Sequence, residues 1–291
     1  TYKLFIDGKF PRSESGRSLA VKRAEGSVFA HLCHASRKDL RDAVVAARKA
    51  LPGWTGATAY LRGQILYRIA EMMEGKRAEL AGAIDVVARS SRKGASTKGK
   101  GALTSPEAEV AAAIDRVVAF AGWADKYAQV LGCNNAVAGP YYNFTVPEPT
   151  GVVAAVAPDS PALLGLISLV APAVCAGNTV VVLAGEANPV PGAVLGEVIA
   201  TSDVPAGVVN ILTGTRAELV PVISGHRDVD AVHAAGVGDE HARVLREGAA
   251  ENVKRVCIRA GVDWFDADEC GSPWWIEPLV EMKTIWHPSA V

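Results

Sequence analysis

The sequence lacks an excess of charge of either sign, because 30 basic and 31 acidic side chains leave a net charge of −1. A chain without a global field offers no electrostatic attraction to nucleic acid or to an anionic membrane. It also lacks any apolar run of about 18 residues, the length that a membrane-spanning helix needs, and the amino-terminal pattern of a signal peptide. We therefore expect a cytoplasmic protein whose partners include neither nucleic acid nor a membrane.

Cysteines are few and scattered, at positions 33, 133, 175, 257 and 270, which argues against a disulfide framework and indicates a reducing compartment. His31, Cys33 and His34 are of residue types that bind zinc, but they lie in an extended segment without a second cluster. We therefore expect no metal site, since zinc needs three or four converging ligands. The basic stretch 89–100 has no aromatic residues between its charges, which favours a solvated loop over a nucleic-acid surface.

What the sequence does have is a strand–helix–strand pattern near its middle. Val152–Val156 and Thr179–Leu183 are near-continuous apolar runs, as expected for parallel strands covered on both faces. Between them, apolar residues from 163 to 174 recur at helical spacing, and Gly177-Asn178 is a typical helix stop. The segment therefore predicts one right-handed crossover.

The same alternation continues to residue 259, with strands expected near 208–212, 230 and 254–259 and helices between them. Five strands alternating with helices predict an α/β fold: a doubly wound, mostly parallel, Rossmann-like sheet. Residues 1–130 and 150–273 are assigned to this domain. Residues 2–10 alternate about an Asp-Gly pair, which predicts a hairpin.

Several of these segments resemble the nucleotide-binding half of an aldehyde dehydrogenase. In that family the first strand of the crossover ends in Pro-Trp-Asn-Phe-Pro and the second in Lys-Pro-Ser-Glu. Here these positions read Pro158-Asp159-Ser160-Pro161-Ala162 and Leu183-Ala184-Gly185-Glu186. The opening residues 2–10 and the helix-forming residues 61–73 and 108–129 are similar to the family as well. The arrangement looks like the carboxy-terminal portion of family 16 aldehyde dehydrogenases and of long proline-utilisation flavoenzymes.

The catalytic positions that the resemblance implies are altered or missing. The Gly-Gln-x-Cys loop of the nucleophile belongs to a lobe that the sequence does not contain, and no cysteine has that context. The family segment that carries the general-base Glu aligns with residues 258–262. Arg259 therefore occupies the position of the general base. Ser160 occupies the position of the Asn that supplies an oxyanion donor in the family. The resemblance therefore implies no catalytic residue in this chain, and no aldehyde oxidation by this chain alone.

The cofactor positions are altered in a similar way. The Phe-Thr-Gly-Ser turn aligns with residues 233–236, and Asp239 and Glu240 follow it where the diphosphate would lie. Glu186, Ser160 and Gly236 are vestigial cofactor-binding positions in this interpretation. We therefore expect no cofactor, with NAD as the alternative that Glu186 supports.

A separate flap is expected from residues 131–149 and 274–291. Residues 141–146 and 281–287 both alternate and lie outside the crossovers, which predicts a small projecting antiparallel sheet. In the family this region associates subunits. The predicted interface residues are Tyr141, Asn143, Thr145, Met282, Thr284 and Trp286.

Two functions from different classes follow from the sequence. The first is a non-catalytic module that acts in oligomerisation, or covers the catalytic lobe of a fused or partner aldehyde dehydrogenase. The second is an NAD-dependent aldehyde dehydrogenase component or a dinucleotide-binding sensor with altered contacts. The chain begins at Thr1 rather than Met, which indicates a segment of something longer.

Overall fold

The computed structural model describes residues 1–23, 25–91 and 105–289. Residues 92–100, which make up most of the basic stretch 89–100, lie outside the described residues. The strands are β1 (Ser18–Lys22), β2 (Val28–Cys33), β3 (Cys133–Asn135), β4 (Tyr141–Pro149), β5 (Val152–Val156), β6 (Thr179–Leu183), β7 (Val209–Leu212), β8 (Ala231–Ala235), β9 (Arg255–Arg259) and β10 (Val280–Pro288). The helices are α1 (Arg37–Thr55), α2 (Ala59–Gly75), α3 (Arg77–Ser91), α4 (Pro106–Leu131), α5 (Leu164–Ala176), α6 (Val190–Ala200), α7 (Arg216–Gly225), α8 (Asp239–Asn252) and α9 (Ala267–Cys270).

Five parallel strands form the central sheet in the order β7-β6-β5-β8-β9, so the predicted doubly wound sheet is confirmed. Every residue of β5, β6, β7 and β8 is buried, because helices cover both faces. Val153 and Ala155 face the core beneath α2 to α6, whereas Val152 and Ala154 face the core beneath α1, α7 and α8. This two-sided burial explains why the strands read as continuous apolar runs.

The predicted crossover helix α5 ends as its sequence indicates. Gly177 adopts a left-handed conformation with φ of 97°, and the N–H of Asn178 donates to the carbonyl of Ala173 at 3.0 Å. The side-chain amide of Asn178 then donates to the carbonyl of Leu279 at 2.9 Å. This stop therefore also anchors the segment that leads into β10.

The amino-terminal segment forms the predicted hairpin and also pairs with the central sheet. Asp7 and Gly8 form the expected turn, with positive φ at both positions, and Ile6 pairs with Lys9. The hairpin continues with the N–H of Leu4, which donates to the carbonyl of Pro11 at 3.1 Å, and Phe5 exchanges backbone hydrogen bonds of 3.0 and 2.7 Å with Ile211 in β7. The segment therefore pairs locally on one side and with the edge of the parallel sheet on the other.

The flap is a three-stranded antiparallel sheet in the order β10-β4-β3. Its long pair runs from Val280 opposite Pro149 to Pro288 opposite Tyr141, which confirms the predicted antiparallel pairing. Residues 274–279 form short turns, and Trp275 and Leu279 within them are buried in the main core. Across the described ranges, no helix is long and apolar enough to cross a membrane.

Candidate functional site

The loops that follow the parallel strands gather at one edge of the central sheet. Asp159 follows β5, Glu186 follows β6, Arg216 follows β7 and Gly236 follows β8. In open α/β sheets, ligands bind in the crevice outside the carboxyl ends of the strands. These loops therefore define the candidate crevice, and they contain all three predicted cofactor positions.

An ion pair connects two of these loops. Arg216 Nη1 and Nη2 donate to the two carboxylate oxygens of Asp159 at 2.8 and 2.9 Å. Arg216 Nη2 also donates to the carbonyl of Ala157 at 2.8 Å. Burial alone would raise the pKa of Asp159, but hydrogen bonds from Arg216 and from the N–H of Ala187 hold it below its ordinary value. Asp159 is therefore an ionised carboxylate in a charge-assisted pair.

The three predicted cofactor residues lie at this edge in different settings. Glu186 is exposed, and its Oε2 accepts the N–H of Arg216 at 2.9 Å. Ser160 is exposed beside Asp159. Gly236 has φ of 63°, and a Cβ at this position would lie 2.8 Å from the Cβ of Pro158. Glycine is therefore required there by both backbone conformation and close packing.

Leu183 differs from the lysine that the family resemblance requires at its position. Its side chain is buried at the end of β6 in the core that α1, α7 and α8 cover. This residue therefore contributes packing rather than a hydrogen bond to a ligand.

The amino terminus of α5 is occupied by the chain's own carboxylate. Oε1 of Glu109, from α4, accepts the N–H groups of Leu163 and Leu164 at 2.7 and 3.2 Å. Burial raises the pKa of Glu109, while these two hydrogen bonds act in the opposite direction. Helix amino termini attract anions, so Glu109 fills a position that a ligand phosphate could otherwise take.

The amino terminus of α8 is exposed, in contrast to that of α5. Its N-cap is Gly238, where an added Cβ would meet no heavy atom within 4 Å. Asp239 and Glu240 occupy the first turn and are both exposed. The backbone N–H groups here can receive an anion, whereas the two carboxylates oppose it.

Arg259, at the position of the family's general base, belongs to a closed cluster. Its Nε donates to Nε2 of His233 at 3.2 Å, and its guanidinium lies 4.2 Å from the centroid of the Trp275 ring. His233 is fully buried, and burial followed by the nearby Arg259 charge lowers its pKa to about 3. A neutral ring and a cation that is already engaged offer no base for activating water.

The five cysteines are distributed between core and flap. Cys33, Cys175 and Cys270 are buried, Cys257 is half-buried, and Cys133 is exposed on β3. Burial raises the pKa of Cys175 to about 12, and burial also raises the pKa values of the Cys257 and Cys270 thiols. Raised thiol pKa values disfavour the thiolate that nucleophilic catalysis requires.

The flap places the six predicted interface residues on one face. The register sets Trp286 opposite Asn143 and Thr284 opposite Thr145, and Met282 and Tyr141 share that face. Two of the six differ from expectation, since Asn143 and Thr145 are buried. Both accept hydrogen bonds from the side-chain amide of Asn135, at 2.5 and 3.0 Å, so they join the strands of the flap. The exposed part of the face consists of Tyr141, Met282, Thr284 and Trp286.

His31 is exposed, whereas His34 lies 3.5 Å from the carboxylate of Glu218. Among the described residues, no three His, Cys, Asp or Glu side chains are placed to hold a metal ion.

Sequence reasoning missed Arg216 and Glu109. Arg216 comes directly after Thr213-Gly214-Thr215 at the end of a strand, and charged residues in such positions are candidates for a crevice. The partners of both side chains lie more than fifty positions away in sequence, so no local pattern could have identified these side-chain contacts.

A sequence model described as the aldehyde dehydrogenase family matches residues 10–263. An aldehyde dehydrogenase of Aspergillus niger is 31% identical over 261 residues, which cover 89% of this chain and 50% of the relative. Retinal dehydrogenase 2 of Gallus gallus is 33% identical over 264 residues, covering 89% of this chain and 48% of that protein. The chain therefore spans about half the length of the curated relatives that it matches.

Solved structures agree with this comparison. Betaine aldehyde dehydrogenase of Staphylococcus aureus, in complex with NAD+, gives a TM-score of 0.79 at 25% identity over 90% of this chain and 50% of its own. An aldehyde dehydrogenase of Bacillus cereus, also an NAD+ complex, gives 0.78 at 26% identity over 88% of this chain and 50% of its own. The expectation of no cofactor is therefore wrong: related structures with this fold are NAD+ complexes, and they point to a dinucleotide.

Proposed function

The chain belongs to the aldehyde dehydrogenase family, and from this premise we propose that it is an association module built on the family's nucleotide-binding fold. In this proposal it binds a second copy of itself, or an aldehyde dehydrogenase catalytic domain, through the flap. It does not oxidise aldehydes by itself.

The observation that carries the proposal is the exposed edge of the flap. β10 is a nine-residue edge strand, and its outer side has no partner strand within the described residues. Met282 and Trp286 on this strand are exposed to 48% and 58%, and the Trp286 ring packs edge-on against Tyr141 at a centroid distance of 5.8 Å. Long edge strands with apolar side chains favour pairing with another chain.

The cysteines and the former base position support the absence of aldehyde oxidation. Three thiols have pKa values raised by burial, and the exposed Cys133 belongs to the flap rather than to the crevice. Arg259 takes the position of the base and is held by His233 and Trp275. A thiolate and a general base are both needed for acyl transfer and hydrolysis.

The crevice residues fit a nicotinamide dinucleotide, which we include in the proposal. The exposed carboxylate of Glu186 would accept hydrogen bonds from a ribose, and the open amino terminus of α8 at Gly238 would receive the diphosphate. When bound, such a cofactor supplies hydride-transfer chemistry. Asp239 and Glu240 reduce the affinity through like-charge repulsion with the diphosphate.

Truncation of the flap tests the association. Leu279 and Val280 are buried in the core, so the deletion should remove residues 281–291 and leave Val280 in place. We expect sedimentation velocity to show a smaller assembly for the truncated chain than for the intact one, at equal helix content by circular dichroism. Equal assembly sizes would contradict the flap as the interface.

A second candidate function is an NAD-dependent aldehyde dehydrogenase component or a dinucleotide-binding sensor. It is supported by relatives named as dehydrogenases and by the half-length coverage, which together suit one part of a larger enzyme. Purified chain should be incubated with NAD+ and a short aldehyde while NADH absorbance is followed. Turnover above the blank would favour this candidate, whereas binding of NAD+ without turnover would favour the association module or the sensor.

A further inference from the structure

The outer edge of β10 is the long unpaired edge of the flap. β10 has nine residues, whereas β3 on the opposite edge of the same sheet has only three. Among residues 281–288 only Ile285 is half-buried, and the others are exposed. In the part of the chain that the structure describes, no strand pairs with this edge. Its backbone N–H and carbonyl groups can therefore receive a strand from another chain.

One face of β10 is complementary to a reversed copy of itself. In an antiparallel pair, directly opposed residues share a face, so a two-fold axis perpendicular to the sheet must pass at a residue. An axis at Thr284 sets Met282 opposite Trp286 of the second copy, and the reverse. Tyr141 already braces the Trp286 ring edge-on, at a centroid distance of 5.8 Å. The thioether of Met282 then meets a fixed aromatic ring, which is a favourable cross-strand contact.

The other face of β10 carries its charged side chains and is complementary in the same register. Glu281 lies opposite His287 of the second copy, so the imidazole can donate a hydrogen bond to the carboxylate. Arg255 holds this carboxylate at 2.7 and 2.6 Å and fixes its direction at the base of the strand. Lys283 lies opposite Ile285, so no two like charges face each other.

The neighbouring axis positions on the strand are less favourable. An axis at Lys283 would place this residue opposite itself, with two ammonium groups in direct opposition. An axis at Ile285 would place Lys283 opposite His287, two nitrogen donors without a carboxylate between them. The same axis would set Met282 opposite Pro288, which has no N–H for the pairing. The intermediate register has none of these defects.

We propose that β10 pairs antiparallel with β10 of a second copy, about a two-fold axis at Thr284, and joins the two flaps into one six-stranded sheet. The hydroxyls of Thr145 and Thr284 lie 2.9 Å apart, and this row continues into the same two residues of the second copy. Val280 is buried in the core and Pro288 ends the strand, so the reversed pairing places the two bodies at opposite ends of the joint sheet. This inference rests on the proposal that the flap is the association surface, and it identifies the partner as a second copy of this chain.

Disulfide cross-linking tests the register, in a Cys133→Ser background that removes the exposed native thiol. Thr284→Cys should form a covalent dimer under mild oxidation, because opposed Cβ atoms lie about 5 Å apart. A mixture of Lys283→Cys and Ile285→Cys chains should also cross-link. Opposed pairs alternate between the hydrogen-bonded and the closer non-hydrogen-bonded kind, so at least one of these two experiments has the closer geometry.

Two kinds of control accompany these variants. Lys283→Cys alone and Ile285→Cys alone should each give at least about fivefold less dimer, because each thiol is displaced from its own copy by about 7 Å along the strand. Tyr142→Cys is the matched control on β4, since Tyr142 is 49% exposed in the same sheet but lies away from the β10 edge. It should remain monomeric on a non-reducing gel. Circular dichroism identifies any variant that fails to fold.

Absence of cross-linked dimer from both Thr284→Cys and the mixture would overturn the pairing. So would a yield from Lys283→Cys alone or Ile285→Cys alone that equals the yield from Thr284→Cys, because another axis would then be present. Sedimentation of the chain that lacks residues 281–291 decides the proposed function separately. A smaller assembly for the truncated chain, with no cross-link in the full-length variants, would retain the flap as the association surface and refute only its pairing with a second copy in this register.

Discussion

Arg259 Nε donates to Nε2 of His233, which means that the proton of the imidazole is on Nδ1. That Nδ1 lies 3.2 Å from the carbonyl oxygen of Leu169, to which it donates. Both nitrogens of a fully buried ring are therefore satisfied only while the ring is neutral. Protonation would place a second cation against Arg259, which is consistent with the strongly lowered pKa of His233.

His233 should make the fold sensitive to acid. Its pKa is lowered from 6.5 to about 3 in the folded chain, so below pH 6.5 the unfolded chain binds more protons than the folded one. The stability present above pH 6.5 is then lost as pH falls toward 3, by up to about 1.4 kcal/mol per pH unit. Urea unfolding at pH 7.5, 6.0 and 5.0 should show a steeper loss in wild type than in His233→Gln. Identical slopes would contradict this prediction.

Trp286→Ser should weaken association without unfolding the chain. The residue lies on the edge strand of the flap with 58% of its surface exposed, so its removal affects contacts with a partner more than the core. Trp274→Ser is the control, since Trp274 is equally exposed but lies outside the flap sheet. Sedimentation velocity should show a smaller assembly for Trp286→Ser alone. Equal losses in both variants would place the interface elsewhere.

Asp239→Asn combined with Glu240→Gln should strengthen NAD+ binding, by about fivefold, because two carboxylates no longer face the diphosphate. The same change should slightly lower the melting temperature of the unliganded chain, because acidic residues stabilise the first turn of a helix. Asp268→Asn with Glu269→Gln, in the first turn of α9, is the matched control. Calorimetric affinities that do not differ between the two double variants would rule out the diphosphate position at α8.

Cys133 should be the first thiol to react with a water-soluble disulfide reagent in the native chain. It is exposed, whereas the other four cysteines are buried or half-buried. We expect one fast equivalent for wild type, none for Cys133→Ser, and five after denaturation. Two fast equivalents in the native chain would show that a second thiol is accessible.

The central sheet was predictable because its signal is local. Each strand is covered on both faces, so its apolar run appears directly in the sequence, and the stop at Gly177 marks the end of the crossover helix. The Asp7-Gly8 turn was equally readable. The additional pairing of Phe5 with Ile211 could not be predicted, because that edge of the sheet lies about two hundred positions away in sequence.

In the flap and the crevice, local sequence patterns predicted the positions of residues but not their contacts. Alternation in β4 and β10 placed the predicted interface residues on one face, yet it could not show that Asn135 would cover Asn143 and Thr145. In the crevice, the positions of Glu186 and Gly236 came from family resemblance. The contacts of Arg216 depend on strand order, which the spacing of residues does not encode.

Helix α4 begins at the crossover and ends at the flap. Near its start Glu109 holds the first N–H groups of α5, and Gly132 at its end is so close to β4 that an added Cβ would lie 3.2 Å from the carbonyl of Thr145. Its 26 residues make a rod about 39 Å long. Helix α4 therefore connects the carboxyl edge of the central sheet at one end with the flap at the other. A proline at its midpoint would break the helix where Val117 and Phe120 are buried in the core, and it would therefore disturb both ends together.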